Sequence, residues 1–410
     1  MRGVVTAIAL SRGHHLQLLQ SGAEFFPSLV SAIDSSTQEV RLETYIFHFD
    51  RSGEQVAAAL VRAAQRGVAV YLVMDGIGTP TVPEVWIQYF AHAGVNWHHF
   101  SPLRRLGLLI PVQWRRLHRK LCVVDAQVAF CGGINILDDF VDPCDGPLLS
   151  ARFDFSVRVT GPLVTDVHMA MTQFWGRLQA TRQLERLQWQ DARETWNEAA
   201  QLPFGTGGAP PMGEPAPRFG SLAALLLRDN VRNRNRIERA YRKAIAGARE
   251  EVLIANAYFL PGGKMRRALI HAARRGVRVR LLLHGTYESF MQYHAARPVL
   301  GGLLAAGVEI HEYRAGFLHA KVAVVDGHWA TVGSSNLDPL SLLLAREANV
   351  VMEDAPFAQT LRTRLISVID TQSVQLDPKS MAARPWKQRC LDRLAFGLMR
   401  LMLFLTGRRY

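Results

Sequence analysis

Apolar residues fall into two alternating rhythms early in the chain. The stretch EVRLETYIF, Glu39 to Phe47, is rich in β-branched and aromatic side chains and predicts a strand. In SGEQVAAALVRAAQRG, Ser52 to Gly67, the apolar positions recur at three- and four-residue steps, which predicts a helix stopped by Gly67. VAVYLVMDG, Val68 to Gly76, is a nearly continuous apolar run and predicts a buried strand. Strand, helix and strand in this order predict a parallel sheet with helical crossovers.

The same rhythm returns some two hundred residues later. EEVLIANAYFLP (Glu250 to Pro261) answers the first strand, KMRRALIHAARRG (Lys264 to Gly276) the helix, and VRVRLLLHG (Val277 to Gly285) the second strand. The offsets are steady, at 213 from Tyr45 to Tyr258, 209 from Gly67 to Gly276 and 213 from Gly94 to Gly307. An internal duplication accounts for this, and predicts halves at 1–198 and 222–378. The Pro- and Gly-rich residues 199–221 read as a linker, and 379–410 as a separate basic and apolar tail. The first half also carries extra residues. Gly94 lies 24 before His118, whereas Gly307 lies 12 before His319, so a segment SPLRRLGLLIPVQW, Ser101 to Trp114, has no counterpart. Its leucines either tuck into the core or touch lipid beside its arginines.

Composition narrows the class. With 49% hydrophobic and 20% charged residues the chain is ordinary globular material, but a net charge of +13 points to an anionic partner, either nucleic acid or a membrane surface. Four cysteines, Cys122, Cys131, Cys144 and Cys390, show no zinc spacing and read as reduced thiols. The apolar run near the N-terminus is too short to span a bilayer, and no segment offers about twenty uninterrupted apolar residues.

Chemistry concentrates in two phrases, LHRKLCVVD at Leu117 to Asp125 and LHAKVAVVD at Leu318 to Asp326, whose histidines lie 201 residues apart. In an extended strand His118 and Lys120 share a face, as do His319 and Lys321. An ammonium beside a neutral imidazole suits a phosphoryl centre, the first holding nonbridging oxygens and the second attacking phosphorus or moving a proton. Asp125 and Asp326 stand where a carboxylate could orient a histidine or offset positive charge. Seven residues beyond each aspartate begins a glycine cluster, GGIN with Gly133 and Asn135, and GSSN with Ser334 and Asn336. Glycines admit an anion close to the backbone, and the asparagine amides can donate to it. A single His-x-Lys is ordinarily a solvated strand face; recurrence at identical spacing in matching halves is what singles these out.

The paired phrases HRKLCVVD…GGIN and HAKVAVVD…GSSN resemble those of the phospholipase D superfamily, and LETYIFHFDRSGEQVAAAL, IANAYFLPG and HWATVGSSNLDPLSLLLAREANV resemble its bacterial cardiolipin synthase branch without N-terminal membrane helices. The resemblance implies two similar α/β/α domains, each with a mixed sheet flanked by helices, packed about a pseudo-twofold axis with one shared site. It implies a phosphatidyl transfer through a covalent phosphohistidine, with His118 as nucleophile and His319 as acid/base. Lys120, Lys321, Asn135, Asn336, Gly133 and Ser334 would surround the phosphoryl group, and Asp125 and Asp326 would tune their histidines. Glu347, and Asp154 in the first half, are further candidates for a place near the site. No metal or other cofactor is required. A phospholipase D-type hydrolase and a nuclease of the same superfamily are the alternatives.

Two features favour lipid over nucleic acid. The inserted segment pairs leucines with arginines, whereas single-stranded nucleic acid is ordinarily met by basic residues with stacking aromatics. The tail RCLDRLAFGLMRLMLFLTGRRY, Arg389 to Tyr410, is apolar from Ala395 to Leu405 and too short there to span, so it either lies in an anionic interface or caps the core. The expected partners are anionic phospholipid and a membrane surface, with the protein peripheral on the cytoplasmic face and no obligate protein partner.

Overall fold

The computed structural model describes residues 9–102, 115–143, 146–186, 188–201, 220–229, 233, 235–285, 290–338, 345–379 and 383–405. Most of the inserted segment (103–114), residues 202–219 of the expected 199–221 linker, the first eight residues and Cys144 lie outside them, while 199–201 end a helix and Ser221 begins a strand.

The first half runs β1 (Ser11–Gln20), α1 (Ser21–Asp34), β2 (Glu39–Thr44), α2 (Arg51–Gln65), β3 (Ala69–Asp75), α3 (Glu84–Ala93), β4 (Asn96–Phe100), β5 (Arg116–Leu117), β6 (Lys120–Val124), β7 (Val128–Gly132), β8 (Val141–Asp142), β9 (Gly146–Pro147), β10 (Phe155–Thr160), α4 (Leu163–Glu185) and α5 (Trp189–Gln201). The second runs β11 (Ser221–Arg228), α6 (Arg236–Gly247), β12 (Glu251–Asn256), α7 (Gly263–Arg274), β13 (Arg278–His284), α8 (Phe290–Leu304), β14 (Glu309–Tyr313), β15 (Lys321–Val325), β16 (Trp329–Gly333), β17 (Ala345–Glu353), α9 (Ala355–Gln372), β18 (Ser373–Gln375) and α10 (Trp386–Leu405).

Local chemistry explains the elements. Helix α2 opens where the Asp50 carboxylate accepts the Gly53 N–H at 3.0 Å, and it closes before Gly67, whose φ of 88° suits only glycine without strain. Its Val56, Ala59, Leu60 and Ala63 form one fully buried face against the β2–β3 layer. Truncating Leu60 to alanine there costs about 2–5 kcal/mol.

In both halves the first repeat strand pairs parallel with the second, β2 with β3 and β12 with β13, and antiparallel with the strand after the histidine, β6 or β15. The full order is β18-β14-β13-β12-β15-β16-β17-β11-β1-β10-β7-β6-β2-β3-β4, and outward from the β1–β11 junction the two sides repeat one plan. The two expected sheets are thus joined edge to edge into one. Strands β1 and β11 would each leave a row of unpaired backbone groups, and their antiparallel pairing satisfies both. A core shared by the halves, with Leu121, Val157 and Val167 from one and Leu225, Val322, Val350 and Leu361 from the other, lies between them. Each half keeps a second core under its own outer helices.

Candidate active site

His118 and His319 each occupy the bend just before a buried strand, β6 or β15. The bend is held by the opposite half. Strand β5 runs parallel to the start of β17, with Leu117 level with Arg346, and the His118 N–H donates to the Arg346 carbonyl at 3.0 Å. Across the pseudo-twofold, Leu318 bridges Phe153, and the His319 N–H donates to the Phe153 carbonyl at 2.9 Å. The residue after each of these partners is a carboxylate. Glu347 therefore stands against His118, 3.0 Å from Nδ1, and Asp154 against His319, 2.6 Å from Nδ1. The two pairs are crossed: each imidazole is oriented by an acid from the other half.

Each lysine is turned back on its own histidine. Lys120 Nζ donates to the His118 carbonyl at 2.7 Å, and Lys321 Nζ to the His319 carbonyl. Both are buried, and burial lowers the Lys120 pKa to about 7 and that of Lys321 to about 8, with carboxylates offsetting part of the cost. Burial also lowers both histidines, His319 well below its ordinary value, and the lysines of both motifs add to that depression. The two motifs thus share one electrostatic neighbourhood. Burial opposes ionisation of Glu347, but His118, Lys120 and Arg228 outweigh it and hold its carboxyl below the usual range. Asp154 goes the other way, pushed up by burial to about 7 and only partly restrained by Lys321 and the Phe155 N–H.

The remaining predicted residues divide. Asn135 and Asn336 are buried beside the motifs; Asn135 Oδ1 accepts the Ile46 N–H at 3.2 Å, which leaves its Nδ2 as the donor end. Gly133 and Ser334, expected to line the phosphoryl group, support the carboxylates instead. The Ser334 hydroxyl donates to Glu347 Oε2 at 2.5 Å. A Cβ on Gly133 would lie 2.3 Å from Asp154 Oδ1, so glycine makes room for that acid. Asp125 and Asp326 also depart from expectation, because neither carboxylate reaches the histidine of its own motif. Both close their strands in the left-handed region, at φ 50° and 48°, where a short polar side chain is tolerated. The Asp125 carboxylate accepts the N–H groups of Thr37, Gln38 and Glu39, and Asp326 those of Arg249, Glu250 and Glu251. Five strand residues, roughly 16 Å of chain, separate each aspartate from its histidine bend.

Four contributors went unmarked as site residues. Asp75 Oδ2 accepts the Leu117 N–H at 2.7 Å, and His284 Nδ1 does the same for Leu318 at 3.2 Å. They end β3 and β13 at matching places in the duplication, a signal that aligning the halves would expose. The Tyr45 ring lies 5.0 Å from the His118 ring, and Arg152 spans the Phe317 ring beside His319.

Comparison with known proteins agrees with this architecture. Residues 29–141 and 241–369 match the family model described as cardiolipin synthase, PLD-like domain. Cardiolipin synthase B of Escherichia coli strain K12 is 39% identical over 396 residues, covering 96% of this chain and 90% of that one. Cardiolipin synthase of Geobacillus kaustophilus is 30% identical over 335 residues, covering 82% and 62%. Among solved structures, the phosphatidylserine synthase of Haemophilus influenzae superposes with a TM-score of 0.70 at 14% identity, covering 96% of this chain and 95% of that one, a shared fold. The chain belongs to the cardiolipin synthase, PLD-like family.

Proposed function

We propose that the protein is a cardiolipin synthase, a phosphatidyltransferase that joins two phospholipids. The phosphatidyl group comes from phosphatidylglycerol. His118 Nε2 attacks phosphorus, the bond from phosphorus to the glycerol oxygen breaks, and His319 delivers a proton to the departing alcohol. A hydroxyl of a second phosphatidylglycerol then gives its proton to His319 and attacks phosphorus, the phosphorus–nitrogen bond breaks, and cardiolipin is released. Two phosphatidylglycerols become cardiolipin and glycerol, with no cofactor.

The observation that carries this reading is the crossed arrangement of two His–Lys pairs with Glu347 and Asp154 in one buried neighbourhood. Each carboxylate takes Nδ1 and leaves Nε2 for the reaction. Two buried lysines with lowered pKa values are under-compensated until an anion arrives. A phosphodiester restores their charge, and the trigonal bipyramid, with more charge on its equatorial oxygens, is held better than the ground state. Asn135 and Asn336 would donate to the same oxygens. The relatives named cardiolipin synthase support the lipid substrate. Such an enzyme works at a membrane, and we place it on the cytoplasmic face as a peripheral protein; among the described residues no helix is long and apolar enough to cross.

The test is incubation with phosphatidylglycerol vesicles and mass analysis of the products. Cardiolipin and glycerol are expected, and both disappear in His118→Ala and His319→Ala. Phosphatidic acid as the sole lipid product would make the chain a hydrolase, and cleavage of oligonucleotides without lipid turnover would make it a nuclease.

A further inference from the structure

Helix α10 has more apolar surface than the protein uses. One face packs on the second half. Ala395 and Met399 are buried in its outer core, with Phe396 beside them. Asp392 is buried against α8, its Oδ1 2.6 Å from His294 Nδ1 and its Oδ2 3.5 Å from Arg384. At 100° per residue, Leu394, Leu398 and Leu401 form a separate stripe on the far side, 69%, 44% and 52% exposed, with Cys390 and Trp386 continuing it. The exposed charges of the helix are all basic, Arg389, Arg393 and Arg400 along one edge of this stripe and Lys387 in line with it, because the helix's one acid, Asp392, is spent on His294. A helix with an unburied apolar stripe edged by cations and no span-length apolar run fits a surface of anionic lipid.

We propose that α10 is the membrane seat of this protein: its Asp392–Ala395–Met399 face holds the body, and its Leu394–Leu398–Leu401 face enters the headgroup boundary of an anionic bilayer. The inference rests on the lipid reading above for its purpose, while its test does not depend on turnover. The buried Asp392–His294 contact makes the seat rigid, so the bilayer is held at a fixed attitude to the second half. The chain feeding α8 leaves β13 at His284, whose ring receives the Leu318 N–H beside His319. The seat is therefore braced on α8, the helix that follows β13 in the chain.

The full-length protein is co-sedimented with vesicles of phosphatidylglycerol and phosphatidylcholine. Leu394→Gln/Leu398→Gln/Leu401→Gln is expected to weaken binding about a hundredfold. Arg393→Gln/Arg400→Gln, confined to exposed side chains, is expected to weaken it about thirtyfold, with the loss vanishing on neutral vesicles. Melting temperature and turnover of short-chain phosphatidylglycerol dispersed as monomers report folding and chemistry without a surface, and both should stay near wild type. Vesicle binding by the triple variant within twofold of wild type overturns the proposal. So does a wild-type protein that ignores anionic vesicles, or a stripe whose loss only dissociates a dimer. Binding that follows these expectations without any cardiolipin formed would sink the synthase reading and leave the seat standing.

Discussion

The surroundings of His118 and His319 are one backbone plan executed with different side chains. Both histidines precede a buried strand, both are held by a backbone bridge to the other half, and both face a carboxylate one residue beyond that bridge. Around His118 that carboxylate is a glutamate steadied by the Ser334 hydroxyl, and it stays ionised. Around His319 it is an aspartate packed on Gly133, pushed up to about 7. The two imidazoles thus face acids in different electrostatic settings, one held below the usual carboxylate range by His118, Lys120 and Arg228 and the other pushed up by burial. A duplicated site need not be a symmetric one, and the difference suits His118 to attack and His319 to proton transfer.

Substrate chemistry can break that division most sharply. With an aryl phosphodiester, whose leaving group needs no proton, His319→Ala should retain the first step within about tenfold while His118→Ala loses at least about 10⁴; a rapid-quench burst of aryl alcohol reads this out. Equal losses would mean the roles are not divided. Next come the acids. Glu347→Gln should lower kcat about 10²–10³-fold and Asp154→Asn about tenfold less, with the acid limb of the pH–rate profile changed chiefly by the second, because Asp154 titrates near neutrality.

The shared lysines offer a stability measure. An ammonium whose pKa falls from 10.5 to about 7 on folding costs stability wherever the unfolded chain is protonated. The cost is full below pH 7 and fades as pH rises towards 10.5. Lys120→Met should therefore raise the unfolding free energy by about 3 kcal/mol more at pH 6 than at pH 9.5 in denaturant titrations. The smallest effects belong to Asp125→Ala and Asp326→Ala. Each should cost about 1–2 kcal/mol of stability through lost backbone caps and leave kcat within about threefold. A collapse of kcat in the folded protein would return those aspartates to the histidines.

What could be read from the sequence was whatever repeats locally. The strand–helix–strand rhythm of 39–76 and 250–285 shows because one face of each element is buried, and the His-x-Lys pairs show because two residues apart on a strand is the same side. The aspartate seven residues from each histidine looked equally local, but spacing along a strand does not say which end of it matters, and Asp125 belongs to the far turn. The true partners, Glu347 for His118 and Asp154 for His319, are 229 and 165 residues away. Only the pairing of β5 with β17 and of Phe153 with Leu318 brings them close, and no periodicity encodes pairing between halves. Strands β1 and β11, outside the stretches predicted as strands, likewise join the halves by a pairing that no local pattern encodes. For the tail, capping the core and facing lipid looked like alternatives, and α10 has both a face buried in the core and an exposed apolar one.

The crossed acids carry a lesson about ancestry. A single unduplicated half would hold a histidine and a carboxylate that cannot reach each other, yet two copies related by a twofold would supply each other's missing acid. Such a pair would be bound to identical chemistry in both places, since one gene would write both. Fusing the copies into one chain frees each to mutate alone. Glu347 with Ser334 on one side, and Asp154 with Gly133 on the other, record that freedom: covalent linkage lets the two carboxylates and their neighbours differ.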